Sequence, residues 1–235
     1  MVSFIVATYN VHKNVGLDRR SNPGRIGGVI RELHADVIGL QEMDNRSDGT
    51  HESAQMDYLA EETGYEAVPG PTIKRSNGHY GNVLLTHWPV LQKREMDLCL
   101  SCREPRGTID AILSVNERWA GAIVTHFGLA GAERGYRIGR IMEFLWECID
   151  PLIVFLGDMR EWFPLSWGLR QIHQRLGRSP AFLSFPSRRP FLALDRIWVR
   201  PNQALKRIWS IGQAFPGWCR IISLCWRIFP FSDQF

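Results

Sequence analysis

Short apolar runs recur along the chain, and each is closed or broken by one polar side chain. Asn10 closes Phe4 to Tyr9, Glu42 closes Val37 to Gln41, and His126 closes Ala122 to Thr125. Asp158 closes Leu152 to Gly157, and Asp195 interrupts Phe191 to Leu194. Runs rich in β-branched and aromatic residues predict buried strands. Strands that end together carry their terminal side chains to one rim of a sheet, where hydrolytic sites are assembled.

The segments between these runs predict helices and further strands. Pro23 suits a first helical position, with Ser21 or Asn22 as the cap. Ile26, Val29, Ile30 and Leu33 then share one helix face. A second helix is predicted over Ala54 to Thr63, stopped by Gly64, and a third over Glu133 to Cys148, with Ile138, Ile141, Met142 and Leu145 on one face. Asn82 to Thr86, Val90 to Leu98, Gly107 to Val115 and Trp119 to His126 read as strands in an antiparallel section, and Pro151 to Gly157 and Leu192 to Val199 as two more. Helices at both ends and strands between them predict a layered α/β sandwich rather than an eight-fold barrel.

Composition narrows this picture. A chain of 235 residues, 45% of them hydrophobic, fits one large domain with a sizeable core. No repeat or low-complexity linker divides it, and the domain is assigned to residues 1–207. The formal charge of +4 and the pI near 8.9 agree with an anionic substrate, without the dense Lys/Arg block that would itself point to nucleic acid. Among the five cysteines, Cys99 and Cys102 form one Cys-x-x-Cys with no second pair to complete a zinc site. The odd count predicts a reducing compartment. No signal peptide is visible, and no stretch reaches the ~20 apolar residues that span a bilayer. The cytoplasm is the expected location. Residues 208–235 differ from the rest: they carry three charges (Arg220, Arg227, Asp233) and three of the nine tryptophans, with no clean period.

Taken singly, each polar strand-end residue has an ordinary reading: Glu42 as a cap or surface acid, Gly157-Asp158 as a turn, His126 as a structural imidazole. As a set they have a chemical one. Glu42 and Asp158, together with Asn10, offer Mg²⁺ one or two oxygens and leave the rest of its shell to water and phosphate. Such an ion polarises a phosphoryl oxygen, and His126 stands ready to hydrogen-bond the same phosphate.

Five segments, taken in order, carry a family resemblance: Ala7-Thr8-Tyr9-Asn10-Val11-His12, Gly39-Leu40-Gln41-Glu42, Gly81-Asn82-Val83-Leu84-Leu85-Thr86, Thr125-His126-Phe127-Gly128-Leu129 and Leu156-Gly157-Asp158. Over roughly residues 3–201 the chain resembles the exonuclease–endonuclease–phosphatase superfamily. The resemblance implies a four-layer α/β/β/α sandwich with two mixed β-sheets, deoxyribonuclease-I-like, and Mg²⁺-dependent phosphoester hydrolysis by in-line attack of water, with Mn²⁺ as a substitute ion. It implies Glu42 as principal metal ligand with Asn10 beside it, where Asn10 also meets the phosphate. It implies Asp158 orienting or deprotonating the water, His126 on the phosphate, and Asp195 orienting a final histidine. Arg103 and Arg106 resemble the basic edge of bacterial members and are expected to bind phosphate. The substrate class is a phosphoester: nucleic acid, a phospholipid headgroup or a small phosphodiester. No obligate protein partner is evident.

The chain departs from the family pattern twice. Where the family writes Gly-Asp-x-Asn, this chain has Arg160, a longer, always charged, donor-only side chain placed among the catalytic set. Where the family ends in Ser-Asp-His before its last strand, this chain has Ser232-Asp233-Gln234-Phe235, too late and without the histidine. The codons admitted by Trp218 to Phe229 offer an explanation. Read from the third base of each codon, they can encode Val-Ser-Asp-His-Leu-Pro-Val-Leu-Ala-Asp-Phe, the absent motif followed by an apolar strand. The expectation is a frameshift near Asn202 to Ile208 that makes 208–235 a non-native tail, impairs activity by removing the histidine, and leaves a sheet edge open for want of a last strand. Two other readings stay open: a crippled relative that binds metal or phosphate without turnover, and a nucleic-acid interaction protein.

Overall fold

Two β-sheets pack face to face, each covered on its outer side by a pair of helices. The computed structural model describes residues 4–47, 54–101, 103–186, 189–211 and 223–228, from residue 206 onward by backbone alone. The first sheet holds six strands in the order β10-β11-β1-β2-β4-β3, namely β1 (Phe4–Asn10), β2 (Val37–Arg46), β3 (Glu66–Arg75), β4 (Gly78–Thr86), β10 (Leu205–Ile211) and β11 (Ser223–Ile228). The second holds five in sequence order: β5 (Val90–Asp97), β6 (Gly107–Val115), β7 (Arg118–His126), β8 (Ile153–Asp158) and β9 (Asp195–Arg200). Both sheets are mixed: β1–β2 and β7–β8 pair parallel, and the other ladders run antiparallel. The expected four-layer α/β/β/α sandwich is the observed fold.

The helices follow their sequence signals. Helix α1 (Pro23–Leu33) starts with Asn22 accepting from the Arg25 N–H and with Pro23 in its first turn. Helix α2 (Gln55–Thr63) stops at Gly64, whose φ of 74° is one that glycine adopts without a Cβ penalty. Ile26, Val29, Ile30, Leu33 and Leu59 pack these helices onto Ile38, Leu40 and Leu85 of the first sheet. On the other side, α3 (Gly131–Glu147) and α4 (Trp167–Leu176) press Ile138, Ile141, Leu145 and Ile172 onto Ile123, Phe155 and Trp198. Between the sheets lie Val6, Val37, Leu84, Val124, Val154, Leu156 and Ile197. The sheets approach so closely that a Cβ on Gly39 would stand 2.0 Å from Leu156 Cδ1.

Two elements lie outside the expected set, and two expectations need correction. Strand β3, to which the sequence reading assigned nothing, contains Pro69 and Pro71 and among the described residues pairs with β4 alone; an edge strand tolerates residues that cannot donate to a ladder. Helix α4 had no counterpart in the sequence reading. The strand expected over Leu192 to Val199 begins only at Asp195, because Leu192 bridges back to Phe185 instead. The sheet edge expected to stand open beside β1 is filled, since β11 pairs with β1 from Phe4↔Ile228 to Thr8↔Leu224 and with β10 on its other side. The residues Ser232 to Phe235, together with Cys102, Cys219 and Arg220, lie outside those described. Among the described residues no helix is long and apolar enough to cross a membrane.

Candidate active site

The polar strand ends meet at one rim of the sandwich. β1 ends at Asn10, and the parallel partners β7 and β8 end side by side at His126 and Asp158. β9 runs antiparallel to β8, so its first residue, Asp195, stands opposite Asp158. Glu42 arrives differently. It lies inside β2 rather than at its end, where the register with β4 slips between Leu40 and Met43 and the backbone turns to a φ of 60°. A bulge of this kind re-aims a side chain beside a site, at some cost in backbone strain. Gly157, with a φ of 150°, lies within β8 and forms no turn; a Cβ there would meet the Thr125 carbonyl oxygen at 2.0 Å.

These side chains close on one another across the two sheets. Asn10 Nδ2 donates to Glu42 Oε1 at 2.9 Å and to Asp158 Oδ2 at 3.2 Å. Asn10 Oδ1 accepts from the His12 backbone N–H at 3.0 Å. His12 Nδ1 lies 3.1 Å from Glu42 Oε2. Arg160 Nη2 donates to Glu42 Oε1 at 2.8 Å, and its Nε donates to His126 Nε2 at 3.0 Å. A cavity of about 290 Å³ opens here, lined by Asn10, His12, Glu42, Asp158, Arg160 and Asp195 and walled by Leu129, Trp162, Phe185, Leu192 and Leu194.

Burial and neighbours set the charges. Burial would raise the Glu42 carboxyl, but hydrogen bonds from His12 and Asn10 and the charge of Arg160 hold it well below the usual carboxylate range. Burial, then the charges of Arg106 and Arg160, push His126 well below its ordinary value. A neutral imidazole fits its role as acceptor at Nε2. Asp158 is raised by burial against the pull of Arg160 and Asn10. Asp195 is raised well above the ordinary value by burial and by the charge on Asp158, although Ser184 hydrogen-bonds it. Its buried Oδ1 has no hydrogen-bond partner among the described residues.

Of the residues singled out in the sequence, Asn10, Glu42, His126, Asp158, Arg160 and Asp195 come together. Arg103 and Arg106 do not line this cavity. Arg106 is buried, pairs with Glu104 at 2.7 Å and lines a separate groove with Gly70, Lys74 and Asp97. The turn that carries both arginines is held away by Arg137, which donates to the carbonyls of Leu98 and Glu104. His12, Ser184, Trp162 and Phe185 belong to the site but were not singled out. For His12 the signal was available: it stands two residues past Asn10, where a short Asx turn folds it back.

Glu42 and Asn10 have the donor chemistry for Mg²⁺, but their arrangement does not fit it. Asn10 turns its amide N–H groups, not its oxygen, toward Glu42 and Asp158. Flipping that amide would set its N–H groups against the His12 N–H. Both Glu42 oxygens are already engaged, one of them by a guanidinium. Among the described residues, no group of three or more His, Cys, Asp or Glu is placed to hold a metal ion.

Comparison with known proteins shows the family. Residues 7–216 match the family model described as the Endonuclease/Exonuclease/phosphatase family. The chain belongs to that family of phosphoester hydrolases, whose members generally use divalent ions. It is 27% identical over 225 residues to the uncharacterized protein YbhP of Escherichia coli K12, covering 86% of this chain and 87% of that one. Among solved structures, a mannosyl-6-phosphatase of Bacteroides thetaiotaomicron superposes with a TM-score of 0.72 at 13% identity, covering 96% of this chain and 100% of that one. D. rerio TDP2, complexed with a single-strand DNA product, gives a TM-score of 0.68 at 14% identity, covering 97% and 99%. At such identities the two structures share the fold.

Proposed function

We propose that the cavity binds a phosphoester and that its chemistry is hydrolysis by in-line attack of water, running slowly in this chain. The observation that carries this reading is the Asn10 amide bridging Glu42 and Asp158, at 2.9 and 3.2 Å, from opposite sheets. It brings hydrogen-bond donors, a buried acid pair and an imidazole around one opening. In this reading Asn10 and Arg160 bind the phosphoryl oxygens and Asp158 takes the proton of the attacking water. Asp195 has no imidazole to orient among the described residues, and that loss accounts for the slow rate. Mg²⁺, or Mn²⁺ in its place, would polarise the phosphoryl group if bound, but the present arrangement of Glu42 and Asn10 does not fit it. No step here depends on it.

The chemistry of the tail supports a frameshift in the same reading. The alternative frame puts its histidine directly before the first residue of β11, and β11 pairs Leu224 with Thr8, two residues short of Asn10. A second reading, phosphate binding without turnover, is favoured by the grip of Arg160 on Glu42 and His126. A chromogenic aryl phosphodiester suits the apolar wall of Leu129, Trp162 and Phe185 and tests both. Slow release that disappears in a folded Asp158→Asn variant supports hydrolysis. Phosphate binding without release supports the second reading. A chain that neither turns over the ester nor binds phosphate overturns both.

A further inference from the structure

Arg160 joins three groups from three strands. Its guanidinium lies 2.8 Å from Glu42 Oε1 on β2, 3.3 Å from Asp158 Oδ2 on β8 and 3.0 Å from His126 Nε2 on β7. The backbone makes this reach possible: Arg160 adopts a φ of 48°, and its N–H donates to Asp158 Oδ1 at 3.0 Å, folding the side chain back over the acid. A left-handed backbone is uncommon for a long side chain and well suited to Asn, the family's residue here. The contacts of Arg160 therefore come with a local backbone strain.

A permanent positive charge thus sits at the centre of the donor set. A divalent ion within ~2.0–2.1 Å of Glu42 Oε1 would have to displace it or bear its repulsion. The guanidinium also claims the Nε2 lone pair of His126, so in this state the imidazole presents no N–H there to a phosphate. What remains for an anion is the guanidinium itself. Its Nη1 makes no hydrogen bond among the described residues, its side chain is 22% exposed, and it lines the cavity. A planar fork of N–H donors matches phosphate oxygens in pairs.

We propose that Arg160 is the resident cation of this site: it takes the place of a divalent ion against Glu42 and Asp158 and binds phosphate directly, so that anion binding by this chain needs no metal. The inference rests on the phosphoester reading of the cavity. It is tested on the full chain by thermal melting and calorimetry with two probes, inorganic phosphate in chelator and MnCl₂ alone. Phosphate is expected to raise the melting temperature of the wild type without metal, and MnCl₂ to leave it unchanged. Arg160→Asn, which suits the backbone, is expected to weaken metal-free phosphate binding by about tenfold or more. The same variant should gain a melting response to MnCl₂. Arg160→Lys keeps the charge without the fork and should bind phosphate weakly with no response to MnCl₂. Far-UV circular dichroism confirms that each variant is folded. If MnCl₂ stabilises the wild type as much as Arg160→Asn, the proposal falls. If phosphate stabilises the wild type only together with MnCl₂, the phosphoester reading stands and the role of Arg160 falls. If phosphate binds under neither condition, both fall.

Discussion

Asp158 and Asp195 stand opposite each other across the antiparallel pair β8–β9, buried and facing one cavity. Two carboxylates so placed resist double ionisation, and both are raised, Asp195 well above its ordinary value. A carboxyl raised in the folded state holds a proton that the unfolded chain has released. Its contribution to stability is therefore whole below the ordinary carboxylate range and is lost as pH rises through the folded value. Asp195→Asn removes that loss. The variant and the wild type should melt together near pH 4 and diverge above it, the variant leading by about 2–4 °C for each ~1 kcal/mol recovered. Melting curves in chelator across pH 4 to 8 check this. A constant difference across that range would show that Asp195 carries no such strain.

Arg137 is fully buried in α3, its Nη1 ion-paired with Glu133 Oε1 at 2.6 Å and its Nε and Nη2 donating to the carbonyls of Leu98 and Glu104. Glu133 is itself buried. Arg137→Met would leave an uncompensated carboxylate and two carbonyls without donors, a loss of ~3–5 kcal/mol. Denaturant unfolding should show a lower midpoint at unchanged slope, and adding Glu133→Gln should restore part of it. If the double variant is no better than the single one, the ion pair is not what holds this turn to the helix.

The sandwich was legible wherever a local pattern and its environment agreed. Strand β8 is buried on both faces and reads as an unbroken apolar run, and α1 carries its cap, its proline and its apolar face in sequence. Asn10, His126 and Asp158 were legible because strand ends are marked by the change from apolar to polar. The misses depended on distant partners. The bulge that turns Glu42 inward exists only in its pairing with β4. Strand β3 is extended because β4 supplies its ladder, whatever its prolines prefer. Helix α4 did carry signals, with Ser166 accepting from Leu169 N–H and Leu169, Ile172 and Leu176 buried on one side. Gly168, a poor helix former, masked it, and it packs against α3: a Cβ there would meet Ile138 Cδ1 at 2.2 Å. The displaced Arg103 and Arg106 were beyond sequence reasoning, because their turn is fixed by Arg137 from a separate helix.

Gly39 sets the spacing between the sheets just before Glu42. Gly39→Ala would place a Cβ 2.0 Å from Leu156 Cδ1 and 3.0 Å from Val124 Cγ1. Overpacking of this kind costs ~1–3 kcal/mol. Leu156→Val in the same chain removes part of the obstruction and should recover part of the loss, which thermal or denaturant unfolding of the two variants will show. Equal stability of Gly39→Ala and the wild type would mean that the sheets can part at no cost.

Asp195 Oδ1 is buried beside the cavity without a hydrogen-bond partner among the described residues, and a lone acceptor in such a place costs about 1–3 kcal/mol. An imidazole would satisfy it and be oriented by it. The alternative frame supplies one, immediately ahead of the segment that forms β11 against β1. A chain rewritten in that frame over residues 208–235 should therefore hydrolyse an aryl phosphodiester faster than the present one. The gain expected from one positioned acid–base group is about 10²–10⁴-fold. Replacing the new histidine by alanine should return the rate to that of the present chain. Sequencing the gene across Asn202 to Ile208 and onward decides the origin of the tail. If the shifted frame does not encode Ser-Asp-His, the frameshift is refuted, and if the rewritten chain is no faster, the partnerless Asp195 is not what slows hydrolysis.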